Sequence, residues 1–148
     1  MVNESYLPFP AKVRIQLVRE TPDYPSPQIT GPDDVRTVLQ GYFQAQDREH
    51  LVCLHLSSSN KILGIEVVSI GSLNASIVHP REVLKSAVLS NAASIILAHN
   101  HPSGELKPSK EDLAVTERIK QACQIMDIKL LDHIIFGHHG IYSIMHHS

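Results

Sequence analysis

Ser94-Ile95-Ile96-Leu97-Ala98 is a short apolar run, and His99-Asn100-His101-Pro102 follows it directly. Such a run, bounded by a turn signal, predicts a buried strand. Side chains two apart on a strand point to the same face, so His99 and His101 project together from its end. Pro102 cannot donate a ladder hydrogen bond, so pairing stops there. Ser103-Gly104 then turns the chain, and Ser109, after Pro108, opens a helical run with Asp112 one turn in. Two imidazoles on a strand end and a carboxylate on a facing helix start can make a three-ligand zinc site with an open fourth position. The same residues also read without a metal. Ser109-Lys110-Glu111-Asp112 resembles a capping box, in which the Asp112 carboxylate stabilises the helix start by about 0.5–1 kcal/mol. The two readings are compatible, because a cap can hold a ligand-bearing turn still.

The chain has 148 residues, 43% of them apolar and 19% charged. This suits one soluble domain with a real core. No apolar run approaches the length of a spanning helix, and the first residues lack the apolar segment of a signal peptide, so a cytoplasmic location with no membrane partner is expected. Cys53 and Cys123 form no C-x-x-C pair and sit in apolar segments, which predicts buried free thiols. The net charge of −2 gives no electrostatic footprint for nucleic acid, so DNA binding is expected to be weak.

Taken in order, residues 1–11 read as a loose arm. Ala11–Arg19 reads as a strand, because Val13, Ile15 and Leu17 alternate with polar neighbours. Thr21–Pro32, rich in proline, reads as a loop. A helix is predicted from Asp33 or Asp34 to about Ala45, with Val35, Val38, Leu39, Tyr42 and Phe43 on one face. Glu49–Ser57 and Lys61–Ile70 form a hairpin, and Leu73–Val78 reads as a short third strand. Pro80–Leu89 reads as a helix with Pro80 in its first turn. After the strand at 94–99 comes a helix over about Lys110–Met126, with Leu113, Thr116, Ile119, Cys123 and Met126 on one face. Strands at Lys129–Phe136 and Ile141–Met145 finish the chain. The domain division is an N-terminal arm and strand over 1–30, then one domain over 31–148. The interspersed elements predict an α/β protein with a mixed, largely antiparallel sheet flanked by helices.

His99-Asn100-His101-Pro102-Ser103-Gly104, with Pro108-Ser109-Lys110-Glu111-Asp112, resembles the H-x-H-P…S-x-x-D signature of the JAMM (MPN+) metalloproteases. Val67–Val83, Asn91–Gly104 and Leu130-Leu131-Asp132-His133-Ile134-Ile135 are similar to RadC-like proteins, a branch of that superfamily. The resemblance covers roughly residues 30 to 145 and implies the JAB/MPN (deaminase-like) architecture. It also implies Zn2+ held by His99, His101 and Asp112, and a hydrolase cleaving peptide or isopeptide bonds in an unidentified peptide or protein substrate.

Zinc lowers the pKa of bound water to about 7, and a carboxylate that is not a ligand must then move protons. In JAMM enzymes this group lies at the start of the first strand after the first helix, the place Glu49 occupies here. Glu66, in the second hairpin strand, is the rival. The resemblance gives the Ser109 hydroxyl an oxyanion role, although capping accounts for the residue equally well. Asn100 stands where many relatives carry Ser or Thr and points away from the metal face, so little consequence for zinc is expected. His79-Pro80-Arg81-Glu82 reads as a helix start, or as an Arg81 contact to a substrate carboxylate. His133 reads as a satisfied structural histidine. His138, His139, His146 and His147 read as a weak, incidental metal cluster. Longer RadC-like proteins carry a helix-hairpin-helix region for which these residues leave no room, so the family's DNA-repair label is discounted. A non-catalytic zinc-stabilised interaction module, or an accessory domain for DNA processing, is the alternative. Oligomeric state is not legible.

Overall fold

A computed structural model describes residues 10–22, 25 and 27–146. The described elements are α1 (Pro32–Gln44), β1 (His50–Leu56), β2 (Ile62–Ile70), α2 (Pro80–Leu89), β3 (Ser94–Asn100), α3 (Lys110–Ile125), β4 (Lys129–Phe136) and β5 (Ile141–Ser143). The strands form one sheet in the order β2-β1-β3-β4-β5. Among the described strands only β3 and β4 are parallel, with α3 as their crossover, and the other pairs are antiparallel. This is the mixed, largely antiparallel α/β architecture expected of a JAB/MPN-type fold.

The period-two alternation of β1 and β3 splits the core. Leu51, Cys53, Ile95 and Leu97 pack with Val83, Ala87, Val115, Ile119 and Cys123 of α2 and α3. Val52, Leu54, Ile96 and Ala98 face α1, with Val35, Leu39 and Phe43. Both central strands are buried along their whole length, as strands covered on both faces must be. Cys53 and Cys123 are buried free thiols, and burial pushes Cys123 up to about 11.

Three expectations need correction. Ala11–Arg19 is not a strand: it carries no ladder, and Val13 and Ile15 are 80% and 72% exposed. Alternation suits a chain to a pleated face, but a strand needs a partner edge, and β2 takes its described partner from β1. Leu73–Val78 is a turn rather than a strand. Asn74 Oδ1 accepts the Ser76 N–H at 2.7 Å, and the Asn74 carbonyl accepts from Ile77 and Val78. Such local bonds compete with a ladder, while Leu73 and Val78 still plug into the core. In α3 the buried stripe is Asp112, Val115, Thr116, Ile119 and Cys123. Leu113 and Met126 are exposed. The helix is turned so that its carboxylate, not its first leucine, faces the sheet. The outer ends also differ slightly, with β5 stopping at Ser143. Most of the N-terminal arm, residues 1–9, lies outside the described residues.

His55 ties β1 to α2. Its Nε2 lies 3.0 Å from Ser86 Oγ and its Nδ1 3.4 Å from Ser90 Oγ. Burial lowers its pKa from 6.5, partly offset by the Glu66 charge. The folded state therefore favours neutral His55, so this contribution is present above about pH 6.5 and fades as the pH falls. One proton per molecule corresponds to about 1.4 kcal/mol per pH unit at most. Denaturant unfolding between pH 7 and 5 should show a shallower loss of stability in His55→Gln than in the native chain. Equal slopes would mean that His55 does not titrate with folding.

Candidate metal centre

Alternation along β3 continues past its last apolar residue. His99 falls on the α3 side, in step with Ile95 and Leu97, and Asn100 on the α1 side, in step with Ile96 and Ala98. α3 presents Asp112 to the same point. Ser109 caps the helix, its Oγ accepting the Asp112 N–H at 3.0 Å while Asp112 Oδ2 accepts the Ser109 N–H at 2.9 Å. The capping box and the candidate ligand are thus one carboxylate. The loop between them is tight. Gly104 has φ +85°, and a Cβ there would strike the His138 ring.

Glu49, His99, His101 and Asp112 form one cluster, with one donor atom from each lying within 4.8 Å of the others. His99 Nε2 is 3.0 Å from His101 Nε2 and 3.2 Å from Asp112 Oδ1, and His101 Nε2 is 3.0 Å from Asp112 Oδ2. Donors about 3.3 Å apart suit a tetrahedral ion with bonds of about 2.0–2.1 Å. The two imidazole nitrogens and the two oxygens of the carboxylate are therefore spaced close to what a divalent metal needs. His101 is also fixed in the right tautomer. Its Nδ1 lies 2.9 Å from the Glu105 carbonyl, which can only accept, so Nδ1 carries a proton and Nε2 is the nitrogen that a metal would take. Glu49 stands further out, with Oε1 3.7 Å from His99 Nε2 and its side chain 20% exposed. Glu66 is outside the cluster. On β2 it pairs with Cys53 of β1, and it lines a separate groove with His55, Ser86 and Ser90.

Without a cation, electrostatics follow the same geometry. Burial raises the Asp112 carboxyl, but hydrogen bonds from His101 and His99 outweigh it and hold it well below the usual carboxylate range. The same bond to Asp112 raises His101.

Two residues matter more here than their types suggest. Asn100 does point away from the metal face, yet its carboxamide clamps the chain on both sides of Glu49. Oδ1 accepts the His50 N–H at 2.7 Å, and Nδ2 donates to the Arg48 carbonyl at 2.8 Å. His133 is fully buried, and its Nε2 lies 2.7 Å from His99 Nδ1. Its place follows from register: β4 runs parallel to β3, which sets His133 beside Leu97. That register depends on the crossover and is not visible in spacing. Among the remaining candidates, Arg81 is exposed, and its neighbour Glu82 pairs with Lys85 at 2.7 Å. His138 lies 3.2 Å from the Pro102 carbonyl, and His146 lies 3.8 Å from Asp132. Among the described residues, the C-terminal histidines form no metal-holding group, and His147 lies outside those residues.

The model of the RadC-like JAB domain matches residues 29–148. The chain belongs to the RadC-like JAB family. Similar relatives are named UPF0758 proteins. One from Methanosarcina mazei is 50% identical over 113 residues, covering 76% of this chain and 49% of the relative. One from Caldanaerobacter subterraneus is 51% identical over 109 residues, covering 74% and 47%. One from Rubrobacter xylanophilus is 46% identical over 122 residues, covering 82% and 53%. The chain therefore spans about half the length of the curated relatives it matches. Among its described residues, no helix is long and apolar enough to cross a membrane.

Asn100→Ala should remove both clamp bonds and leave the His50 N–H, at a largely buried residue, without its acceptor. Urea denaturation should show a loss of about 1–3 kcal/mol. A loss within about 0.5 kcal/mol, as for an ordinary surface change, would contradict the clamp.

Proposed function

We propose that this RadC-like JAB domain is a zinc-dependent hydrolase of peptide or isopeptide amide bonds. His99, His101 and Asp112 would hold the zinc, and the two nitrogens and one oxygen suit that ion. When bound, zinc would supply a water acidified to near neutral pH and a Lewis-acid contact to the scissile carbonyl. The observation that carries the reading is the fourth member of the cluster. Glu49 stands within proton-transfer reach of the donor atoms without belonging to the closely spaced three.

Glu49 Oε1 takes the proton of the attacking water and passes it to the leaving nitrogen, the work of a general base that becomes a general acid. Asn100 holds the backbone on either side of it, so the carboxylate meets the reacting atoms in a fixed position. Ser109 Oγ spends a lone pair on the cap, which leaves its hydroxyl proton for the oxygen that gains charge as the carbonyl is attacked. A cleft of about 310 Å³ opens beside His101, lined by Arg36, Gln40, Phe43, Asn100 and Phe136. It offers room for a substrate side chain. Peptides or proteins are thus the partners this reading assigns, and the cytoplasm is its compartment.

Glu49→Gln keeps size but cannot accept a proton. Tested on a panel of peptides and isopeptide-linked conjugates, it should retain its zinc and lose about 10²–10⁴ in rate. Retained turnover in Glu49→Gln with loss in Glu66→Gln would move the base to the other carboxylate. A native chain that holds zinc and cleaves nothing on the panel would favour a non-catalytic interaction module.

A further inference from the structure

His99 and Asp112 are joined by a second route, away from the donor atoms. His99 Nδ1 lies 2.7 Å from His133 Nε2. His133 Nδ1 lies 2.5 Å from Thr116 Oγ1, and Thr116 Oγ1 donates to the Asp112 carbonyl at 2.7 Å. All four residues are buried. The path runs from β3 through β4 to α3 and returns to the residue whose carboxylate faces His99.

Counting protons along this path fixes each one. A carbonyl only accepts, so the Thr116 hydroxyl proton points at Asp112. Thr116 Oγ1 then has only lone pairs to offer His133, so His133 Nδ1 carries a hydrogen. His133 is completely buried, where an imidazolium would lose its water, and its ring nitrogens face Thr116 and His99 rather than a carboxylate. It is therefore neutral and has one N–H, which leaves His133 Nε2 as an acceptor. The proton between the two rings accordingly sits on His99 Nδ1.

We infer that His133 and Thr116 are positioning residues that lock His99 as its Nδ1–H form, through a hydrogen-bonded chain anchored on the Asp112 main-chain carbonyl. His99 Nε2, 3.2 Å from Asp112 Oδ1, is thereby the nitrogen that would give its lone pair to a metal. His101 reaches the same state through one carbonyl, whereas His99 needs two side chains. The chain also couples the ligands, because Asp112 anchors through its carbonyl the ring that its carboxylate faces. This rests on the metal reading for its consequence, but the proton arrangement itself does not.

Two measurements separate the parts. The first is ¹⁵N NMR of the histidine rings in the metal-free native chain. His133 should show a protonated Nδ1 and an unprotonated Nε2, with a proton on His99 Nδ1. A protonated His133 Nε2 would overturn the inference, whether or not the protein binds zinc. The second is zinc affinity by competition with a chelator. Thr116→Val is close in shape and removes the hydroxyl, and His133→Leu removes both ring nitrogens. Each should weaken zinc binding by about 10–100-fold. Thr116→Ser and His133→Gln, which can remake the bonds, should restore it. If His133→Leu fails to fold, the valine and serine pair at 116 decides. Folded Thr116→Val with native affinity would overturn the coupling. A native chain that binds no zinc would sink the metal reading, while the NMR result would still decide the proton arrangement.

Discussion

Asp112 is 1% exposed at the start of α3, and a buried carboxylate stays charged only where partners replace its water. Here the partners are the Ser109 N–H and the two imidazoles. The rest of the centre follows from that demand. α3 turns Leu113 to solvent so that Asp112 can face the sheet. β3 ends where its alternation brings His99 to the same side. The tight turn at Gly104 brings the chain back toward the helix start. A divalent cation would set a full charge beside this carboxylate in place of the imidazole contacts, which is why the site reads as built for one.

The two faces of β3 divide the work. The α3 face carries the donor atoms. The α1 face carries Asn100, whose carboxamide holds the Arg48–His50 backbone and with it Glu49. Consecutive residues on one strand therefore place a candidate ligand on one side and the support of Glu49 on the other. A single-residue slip in register would exchange them.

Much of this was legible before any coordinates. The apolar run, the H-x-H-P end and the Ser109–Asp112 box each carry a local physical reason, and all three appear in the fold. Glu49 was placed beside the site by resemblance and by its position before β1, not by any property of its own. What remained hidden depends on distant pairing. Val13, Ile15 and Leu17 alternate as a strand would, but a ladder needs a neighbour. Leu73–Val78 has strand-like ends, but Asn74 and Ser76 supply the bonds of a turn. An apolar stripe through Leu113 and Met126 fits the helical period of α3, but the buried Asp112 turns both to solvent. His133 looked like an ordinary core histidine, and only the parallel β3–β4 register reveals what its ring touches.

The central claim is that His99, His101 and Asp112 hold zinc. X-ray absorption at the zinc edge of the zinc-loaded protein tests it most directly. The account predicts only nitrogen and oxygen neighbours at about 2.0–2.1 Å, with the outer-shell pattern of two imidazoles. That pattern should vanish when His99 and His101 are both replaced by Ala. Sulfur neighbours at about 2.3 Å, or an imidazole pattern that survives the double replacement, would contradict it.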